Sequence, residues 1–243
     1  YLNMSIFSGI GCGPVVGGLI AVFAGFPAVF YTMGTLSFSA FILVARYMPA
    51  RMEQKQARPI GLLRNLRLMA TNLRTLGILL ARYVTMIIMV PTMAFLPLLM
   101  SSRIGAEGLE IGVVIACRTL VNAVLQVPAG KMADRYNKEA LLLFGCGCIT
   151  VALLFIPHCP DLARMICSYC LLGFGEAIIW PVLGVYASEE ARERYGHGSM
   201  MGVFSLAMSG GVFTGAMLAG VSMDIWGIDK VFYVSAGTVV LGG

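Results

Sequence analysis

Charged residues are scarce in this chain of 243 residues. Asp, Glu, Lys and Arg make up only 12% of it, against about 25% in an ordinary soluble domain. There are two histidines, and the nucleotide-binding pattern G-x4-G-K-[ST] is absent. The pairs Cys146-x-Cys148 and Cys167-x2-Cys170 lie in apolar runs, where cysteine is usually a small buried hydrophobe. These features argue against a soluble enzyme and an ATP-binding chain, and we predict no metal site and no cofactor.

Apolar residues dominate instead: 58% of the chain is hydrophobic, with 29 glycines and 16 methionines, and the mean hydropathy is +0.85. About 20 apolar residues cross the hydrocarbon of a membrane as a helix. Eight runs approach this length, namely 3-24, 28-48, 76-100, 109-130, 139-157, 163-187, 199-221 and 228-243. The sequence therefore predicts an all-α membrane protein, with the last span cut short.

The loops between these spans differ in basic charge on the two sides of the membrane. One side holds most Lys and Arg residues, including Arg46, Arg51, Lys55, Arg58, Arg64, Arg67, Arg74, Arg82, Lys131, Arg135, Lys138, Arg192 and Arg194, whereas the other holds Arg103, Arg164 and Lys230. Positive charge accumulates on the cytoplasmic side. We expect a multi-pass protein of the plasma (inner) membrane, in which the net charge of +5 reflects topology and not nucleic-acid binding.

The stretch 49-75 is the longest segment that does not span. Within it Leu62, Leu66, Met69 and Leu73 follow helical spacing, with basic residues elsewhere on the helix. We predict a cytoplasmic loop with an amphipathic helix that lies on the membrane and is attracted to anionic lipid. The alternative is a docking site for a regulatory protein.

Small residues recur in the first and seventh spans. The first has Gly9-x3-Gly13-Pro14-x2-Gly17-Gly18 and the seventh has Gly211-x3-Gly215-Ala216-x2-Ala219-Gly220, each position being offset by 202. Alone, each run indicates close helix packing. The shared offset predicts two halves of six spans each, so that the chain holds the last eight of twelve. Residues 1-48 would then end an N-terminal bundle, and 76-243 would form a C-terminal bundle.

The loop after the fourth span carries a recognisable signature. It reads Gly130-Lys131-Met132-Ala133-Asp134-Arg135-Tyr136-Asn137-Lys138, which resembles the G-x-x-x-D-[RK]-x-G-[RK] signature of major facilitator superfamily transporters. Asn137 stands in place of the usual glycine, and we expect the turn to survive because asparagine tolerates a left-handed backbone. The run from Gly9 to Gly18 is similar to the fifth-span signature of the proton-antiport, drug-exporting branches of that family.

This resemblance implies a conformational latch at the loop. Gly130 would let two helices approach, and Asp134 would accept hydrogen bonds from a helix N-terminus near Ser199, where an anion is favoured. Arg135 would take part in the latch, whereas Lys131 and Lys138 are better explained as basic anchors on the cytoplasmic side. In the first span, the Gly13-Pro14 pair is expected to bend the helix.

Two ionisable residues lie deep in the spans, Arg118 in the fourth and Glu176 in the sixth. Each needs protein or water around it, because a lone charge at the bilayer centre costs about 2.5–3.5 kcal/mol. Arg118, Asn122 and Gln126 share one helix face, and Tyr169, Gly173, Glu176 and Trp180 share another. These faces are interpreted either as the lining of a substrate or proton pathway, or as a structural ion pair between two helices. Glu176 is also a candidate proton carrier.

Together, these features and the resemblance predict a secondary active transporter that is not an enzyme. We expect a monomer that exports small organic or amphiphilic compounds in exchange for protons, with membrane lipid as its surroundings. The alternatives are uptake or facilitated transport of a sugar or other metabolite, and a non-transporting membrane sensor.

The orientation generates a test at Gln56, in the basic loop. In the full-length protein, a Gln56→Cys variant in intact cells should not react with an impermeant maleimide applied from outside, because the loop is cytoplasmic. Permeabilised cells and the parent without the new cysteine are the controls. Efficient labelling of intact cells would reverse the topology.

Overall fold

The computed structural model describes residues 13, 16, 17, 20, 23–47 and 62–242; the side chains of residues 26, 62–65 and 134 also lie outside the described part. Within it the regular structure is helical throughout. The α-helices are α1 (Phe26–Tyr47), α2 (Leu62–Thr71), α3 (Leu73–Ile87), α4 (Met89–Ile104), α5 (Gly108–Arg135), α6 (Lys138–Phe155), α7 (Leu162–Glu190), α8 (His197–Trp226) and α9 (Ile228–Gly242). A 3-10 turn, Ile156–His158, follows α6, and a π-helical turn, Ala191–Tyr195, follows α7.

Six helical segments of the described part are long and apolar enough to cross a membrane. They are Pro27–Tyr47, Leu73–Ile104, Gly108–Ala133, Lys138–His158, Leu162–Tyr195 and His197–Trp226. They correspond to six of the eight predicted spans, and their ends extend up to eight residues beyond the ends of the predicted runs. The final predicted span is the 15-residue helix α9, and most of the run 3-24 lies outside the described residues. The prediction of an all-α membrane bundle is confirmed.

The span Leu73–Ile104 is made of two helices that meet at Ile88. Asn72 begins α3, because its side-chain oxygen accepts hydrogen bonds from the main-chain N–H groups of Arg74 and Thr75 at 3.1 and 3.4 Å. Close to the junction, Pro91 has no N–H to donate to the carbonyl of Ile87, four residues earlier. The backbone is therefore weakened next to Ile88, which we call the break.

Helix α7 lies at the centre of the bundle and packs most extensively against α5 and α6. Gly145 of α6 and Gly175 of α7 face each other, since a Cβ at either position would come within 3.1 Å of the other's carbonyl oxygen. Around this contact, Ile149, Leu153, Leu172 and Ile179 are buried in the main hydrophobic core. Paired glycines thus bring the axes of two spans close together.

Helix α8 uses its small residues in the same way against α3. A Cβ at Gly211 would overlap the main-chain oxygen of Tyr83, and one at Gly215 would overlap that of Ile87. The hydroxyl groups of Tyr83 and Thr214 are also hydrogen-bonded, at 2.5 Å. The predicted packing role of this small-residue run is confirmed, and it places α8 directly against the carbonyl of Ile87, to which Pro91 cannot donate.

The amphipathic helix predicted in the basic loop is α2, although its surroundings differ from the expectation. Met69 is buried in a second apolar cluster with Ile78, Ala187, Tyr195 and Met200, whereas Leu68 is exposed and Leu73 belongs to α3. The apolar side of α2 is therefore held partly by the bundle and not by lipid alone. Residues 49–61 of the loop lie outside the described part.

The packing of α8 on α3 generates a stability prediction. In the full-length protein, Gly215→Ala should lower the free energy of unfolding by about 1–3 kcal/mol, because the new methyl group overlaps the carbonyl of Ile87. Gly220→Ala, in the same helix, is the control, since its Cβ would meet no described atom within 4 Å. Thermal unfolding in detergent measures both, and equal melting temperatures would contradict the tight contact.

Candidate functional site

The two deep charges form an ion pair in the interior of the bundle. Nε of Arg118 in α5 donates to Oε2 of Glu176 in α7 at 3.0 Å, and Nη2 of Arg118 donates to Oε1 of Glu176. The residues are only 1% and 2% exposed. Such a two-point pair fixes both the distance and the orientation of the two groups. The two charges are therefore in direct contact.

Gly173 allows this pair to form. It lies almost one turn before Glu176 on α7, and a Cβ there would overlap the main-chain oxygen of Arg118. Because α5 and α7 approach so closely, the guanidinium and the carboxylate meet without leaving the apolar interior. One face of α7 thus carries both the residue that lets α5 approach, Gly173, and the carboxylate that pairs with Arg118, Glu176. Tyr169 and Trp180 lie on the same face.

Thr92 of α4 is a third partner that the sequence analysis did not identify. Its hydroxyl oxygen accepts a hydrogen bond from Nη1 of Arg118 at 2.8 Å, and its carbonyl oxygen accepts one from the hydroxyl of Tyr169 at 3.0 Å. Thr92 is fully buried. Threonine is common in apolar helices, so the one feature of the sequence that points to Thr92 is its position directly after Pro91.

The remaining predicted site residues lie beside the pair. Nε2 of Gln126 donates to Oδ1 of Asn122 at 3.2 Å, both residues being buried, while Nδ2 of Asn122 has no hydrogen-bond partner in the described part. A cavity of about 10 Å³, close to the size that admits one water molecule, is lined by Met89, Met93, Arg118, Thr119, Asn122, Glu176 and Trp180. Any substrate or proton pathway lined by these faces is therefore closed down here to a very small cavity.

Arg82 is a half-buried charge next to Trp180, although its sequence position predicts a residue of the basic flank. Its guanidinium carbon lies 5.9 Å from the ring centre of Trp180 and 4.9 Å from that of Phe204, and Nη2 donates to the sulfur of Met208 at 3.2 Å. Aromatic faces stabilise a cation at such distances. The polar interior thus extends from Glu176 past Trp180 to α3 and α8.

A separate charged cluster joins α3, α7 and the π-helical turn after α7 at one end of the bundle. The carboxylate of Glu190 is fully buried and accepts a hydrogen bond from the hydroxyl of Thr75 at 3.1 Å. Arg74 lies 3.4 Å from it, and Arg194 lies 3.8 Å from it. The sequence alone does not indicate this cluster, because Glu190 and Thr75 are 115 residues apart.

At the opposite end, Nη2 of Arg103 lies 2.5 Å from Oδ2 of Asp229, and Nη1 donates to the carbonyl of Pro157. Arg74, Lys138 and Arg194 were predicted on one side of the membrane and Arg103 on the other. The two groups of contacts agree with that alternation.

The loop signature differs from its expected structure at two positions. Asn137 does not adopt a left-handed turn: its φ is −62°, and its side chain begins α6 by accepting from the N–H of Glu139 at 2.9 Å. An asparagine that caps a helix is best placed in extended backbone. A Cβ at Gly130 would meet no described atom within 4 Å, so the close approach expected there is not found in this part of the chain.

The charged residues of the loop have different surroundings. Lys138 donates to Oε1 of Glu189 and lies 5.1 Å from the ring centre of Tyr186, so it contacts α7 and is more than a surface anchor. Lys131 and Arg135 are exposed, and the side chain of Asp134 lies outside the described residues. Of the run in the first span, Gly13 and Gly17 are helical, whereas Gly9, Pro14 and Gly18 lie outside the described part.

Known proteins resemble the chain as follows. The family model of the Major Facilitator Superfamily matches it twice, over residues 1–196 and 75–243. Among curated relatives, a protein named MFS-type transporter MJ1560 from Methanocaldococcus jannaschii is 28% identical over 55% of this chain and 34% of its own length. Multidrug resistance protein Stp from Mycobacterium tuberculosis is 27% identical, over 58% of this chain and 26% of its own length.

Methyl viologen resistance protein SmvA from Salmonella typhimurium is 27% identical, over 59% of this chain and 29% of its own length. The matched regions thus span only about a quarter to a third of these relatives. The family model, in contrast, covers this chain from end to end, and its two matches overlap. On this match and the helical membrane bundle, the chain belongs to the Major Facilitator Superfamily.

Proposed function

We propose that this chain is part of a secondary active transporter that exports small organic or amphiphilic compounds in exchange for protons. The observation that carries the proposal is the Arg118–Glu176 pair, buried between α5 and α7 in a membrane bundle of this family. Ionisable residues inside membrane spans are rare and mark ion or substrate pathways. Family membership favours transport over enzyme catalysis.

The groups around the pair suit a binding site for such compounds. Asn122, Gln126 and Thr119 offer hydrogen-bonding groups, whereas Met89, Met93 and Trp180 offer polarisable and aromatic surface. The small cavity between them opens to a ligand only if the helices separate. Alternating access, in which bundles rock around a central site, supplies that movement.

Export is supported by the relatives, two of which carry names that refer to multidrug or methyl viologen resistance. We extend this to the present chain as a proposal, with Glu176 as the residue that exchanges protons. A carboxylate paired with an arginine can do so if substrate or a conformational change separates the pair. The competing interpretation is a permanent structural ion pair.

The arrangement of the chain belongs to the same proposal. Residues 1-48 would complete an N-terminal bundle, 49-75 would be the cytoplasmic connection, and 76-243 would form a C-terminal bundle in a monomeric protein of the plasma (inner) membrane. The second match of the family model begins at residue 75, which supports this boundary. The chain would hold eight of twelve spans.

A panel of substrates tests the function. Inverted membrane vesicles that contain the full-length protein are given organic cations, neutral amphiphiles, sugars and small metabolites, with and without an acid interior. Proton-driven export predicts accumulation of an organic compound inside acid vesicles. Sugar uptake by proton symport predicts no such accumulation, and a sensor predicts no transport of any compound.

The ion pair generates a folding prediction. Arg118→Gln or Glu176→Gln alone should lower the free energy of unfolding by about 3–5 kcal/mol, because each leaves an uncompensated buried charge, and the double variant should lose less. Arg164→Gln is the control, since its pair with Asp161 is 70% and 52% exposed and contributes about 0–1 kcal/mol. Fluorescence-detected thermal unfolding compares them, and additive losses would contradict a neutralising pair.

If Glu176 instead carries protons, the same variants give another pattern. Glu176→Gln should then accumulate normally and exchange substrate at equal pH, yet fail to concentrate substrate in acid vesicles. A Glu176→Gln protein that folds and transports uphill like the parent would remove Glu176 from both roles.

For the loop signature, we propose that Gly130, Lys131, Asp134, Arg135 and Lys138 form a latch, with Asp134 as its specific element. Asp134→Asn should impair transport more than Lys138→Gln, whereas Glu189→Gln should lose at least as much as Lys138→Gln, because Glu189 pairs with both Lys138 and Arg74. Uphill transport normalised to the amount of inserted protein is the measurement. Equal losses for Asp134→Asn and Lys138→Gln would favour simple charge anchoring.

A further inference from the structure

Thr92 lies where the buried ion pair meets the break in the span Leu73–Ile104. Its hydroxyl donates to the carbonyl of Ile88 at 2.6 Å and accepts from Nη1 of Arg118 at 2.8 Å. A guanidinium can only donate, and a hydroxyl has one proton. The two bonds therefore have a fixed direction: Arg118 donates to the hydroxyl of Thr92, and that hydroxyl donates to the carbonyl of Ile88 at the break.

Both sides of the break are held by other spans. On one side, the carbonyl of Ile87 lies against Gly215 of α8. On the other side, the carbonyl of Thr92 accepts from Tyr169 of α7 at 3.0 Å. Thr92 thus contacts both α5 and α7 from the first turn of α4.

Because of these contacts, a change in the position of Arg118 acts on the break. If the guanidinium of Arg118 moves away from Glu176, Nη1 keeps its bond to the hydroxyl of Thr92 only if Thr92 moves with it. Either the hydroxyl loses its charged donor, or α4 shifts relative to α3. The neighbouring Pro91 weakens the backbone here, since it cannot donate a hydrogen bond to the carbonyl of Ile87.

We propose that Thr92 is a positioning residue that links Arg118 to the break at Ile88, so that separation of the ion pair changes the angle between α3 and α4. This deepens the proposed function and rests on it for its role in transport. The mechanical link itself requires no transport and is measured separately.

Amide hydrogen exchange of the full-length protein in lipid nanodiscs, without substrate, measures the link. Thr92→Val keeps the shape of the side chain and removes its hydroxyl, so exchange in peptides covering residues 84–96 should rise about tenfold for the lost bond to a charged group. Thr92→Ser keeps the hydroxyl and should remain within about twofold of the parent.

Thr85→Val is the matched control in the same peptides. Thr85 is also buried, but its hydroxyl donates only to carbonyls of its own helix, those of Ala81 and Arg82. It should therefore stay within about twofold of the parent. Equal exchange in Thr92→Val and Thr85→Val would overturn the proposal.

A double variant separates a link from local loosening. Glu176→Gln should raise exchange in the same peptides, and Thr92→Val combined with it should raise exchange no further, because both changes interrupt one chain of contacts. Additive increases would show that Thr92 only stabilises its own helix. If Glu176→Gln does not fold, Arg118→Lys replaces it, since one ammonium nitrogen cannot reproduce the guanidinium's bonds to both Glu176 and Thr92.

A transport assay is the second test of the proposal. In inverted vesicles, Thr92→Val should lower uphill transport of a substrate identified by the panel about tenfold, and Thr92→Ser should restore it. If the exchange experiment shows the link and no substrate is transported, the proposed function fails and the link stands. If transport is driven by pH and Thr92→Val behaves as Thr85→Val in both assays, the link fails and the function stands.

Discussion

The Arg118–Glu176 pair sets a condition that the surrounding helices have to satisfy. Two opposite charges in an apolar interior are tolerable only when they are close, well oriented and hydrogen-bonded at their remaining atoms. Gly173 supplies the closeness, because it lets α7 lie against the main chain of Arg118. Thr92 supplies an acceptor for the guanidinium nitrogen that does not reach Glu176. The pair therefore requires α4, α5 and α7 to lie close together at this point of the bundle.

The same helix carries a second buried carboxylate at its end. Glu176 and Glu190 both belong to α7, and the rise of an α-helix places them about 21 Å apart along its axis. Glu176 contacts α4 and α5 through its arginine partner, whereas Glu190 contacts α3 through Thr75 and Arg74. Since α3 and α4 are the two halves of one broken span, α7 holds each half by a different charged group.

The sequence was sufficient for those features that depend on local composition. Apolar runs of about 20 residues located the spans, because few other structures bury so many consecutive apolar side chains. The need of Arg118 and Glu176 for surrounding protein or water followed from the cost of leaving either charge alone in the membrane, whereas their direct pairing was one of two interpretations. The small-residue run ending at Gly220 indicated packing, and Gly211 and Gly215 make that contact.

The features that were missed depend on contacts between distant segments. Nothing near Glu190 indicates that Thr75 is its partner, and Arg82 was read as a flanking charge because its aromatic neighbours come from α7 and α8. Asn137 was assigned a turn from its family position, whereas its own chemistry favours a helix cap. Thr92 has both a local and a distant role: it follows Pro91 in the sequence, and it receives the guanidinium of Arg118 from another helix. A proline and a threonine in an apolar run indicate a weakened backbone, but only the packing of α5 shows which charge acts on it.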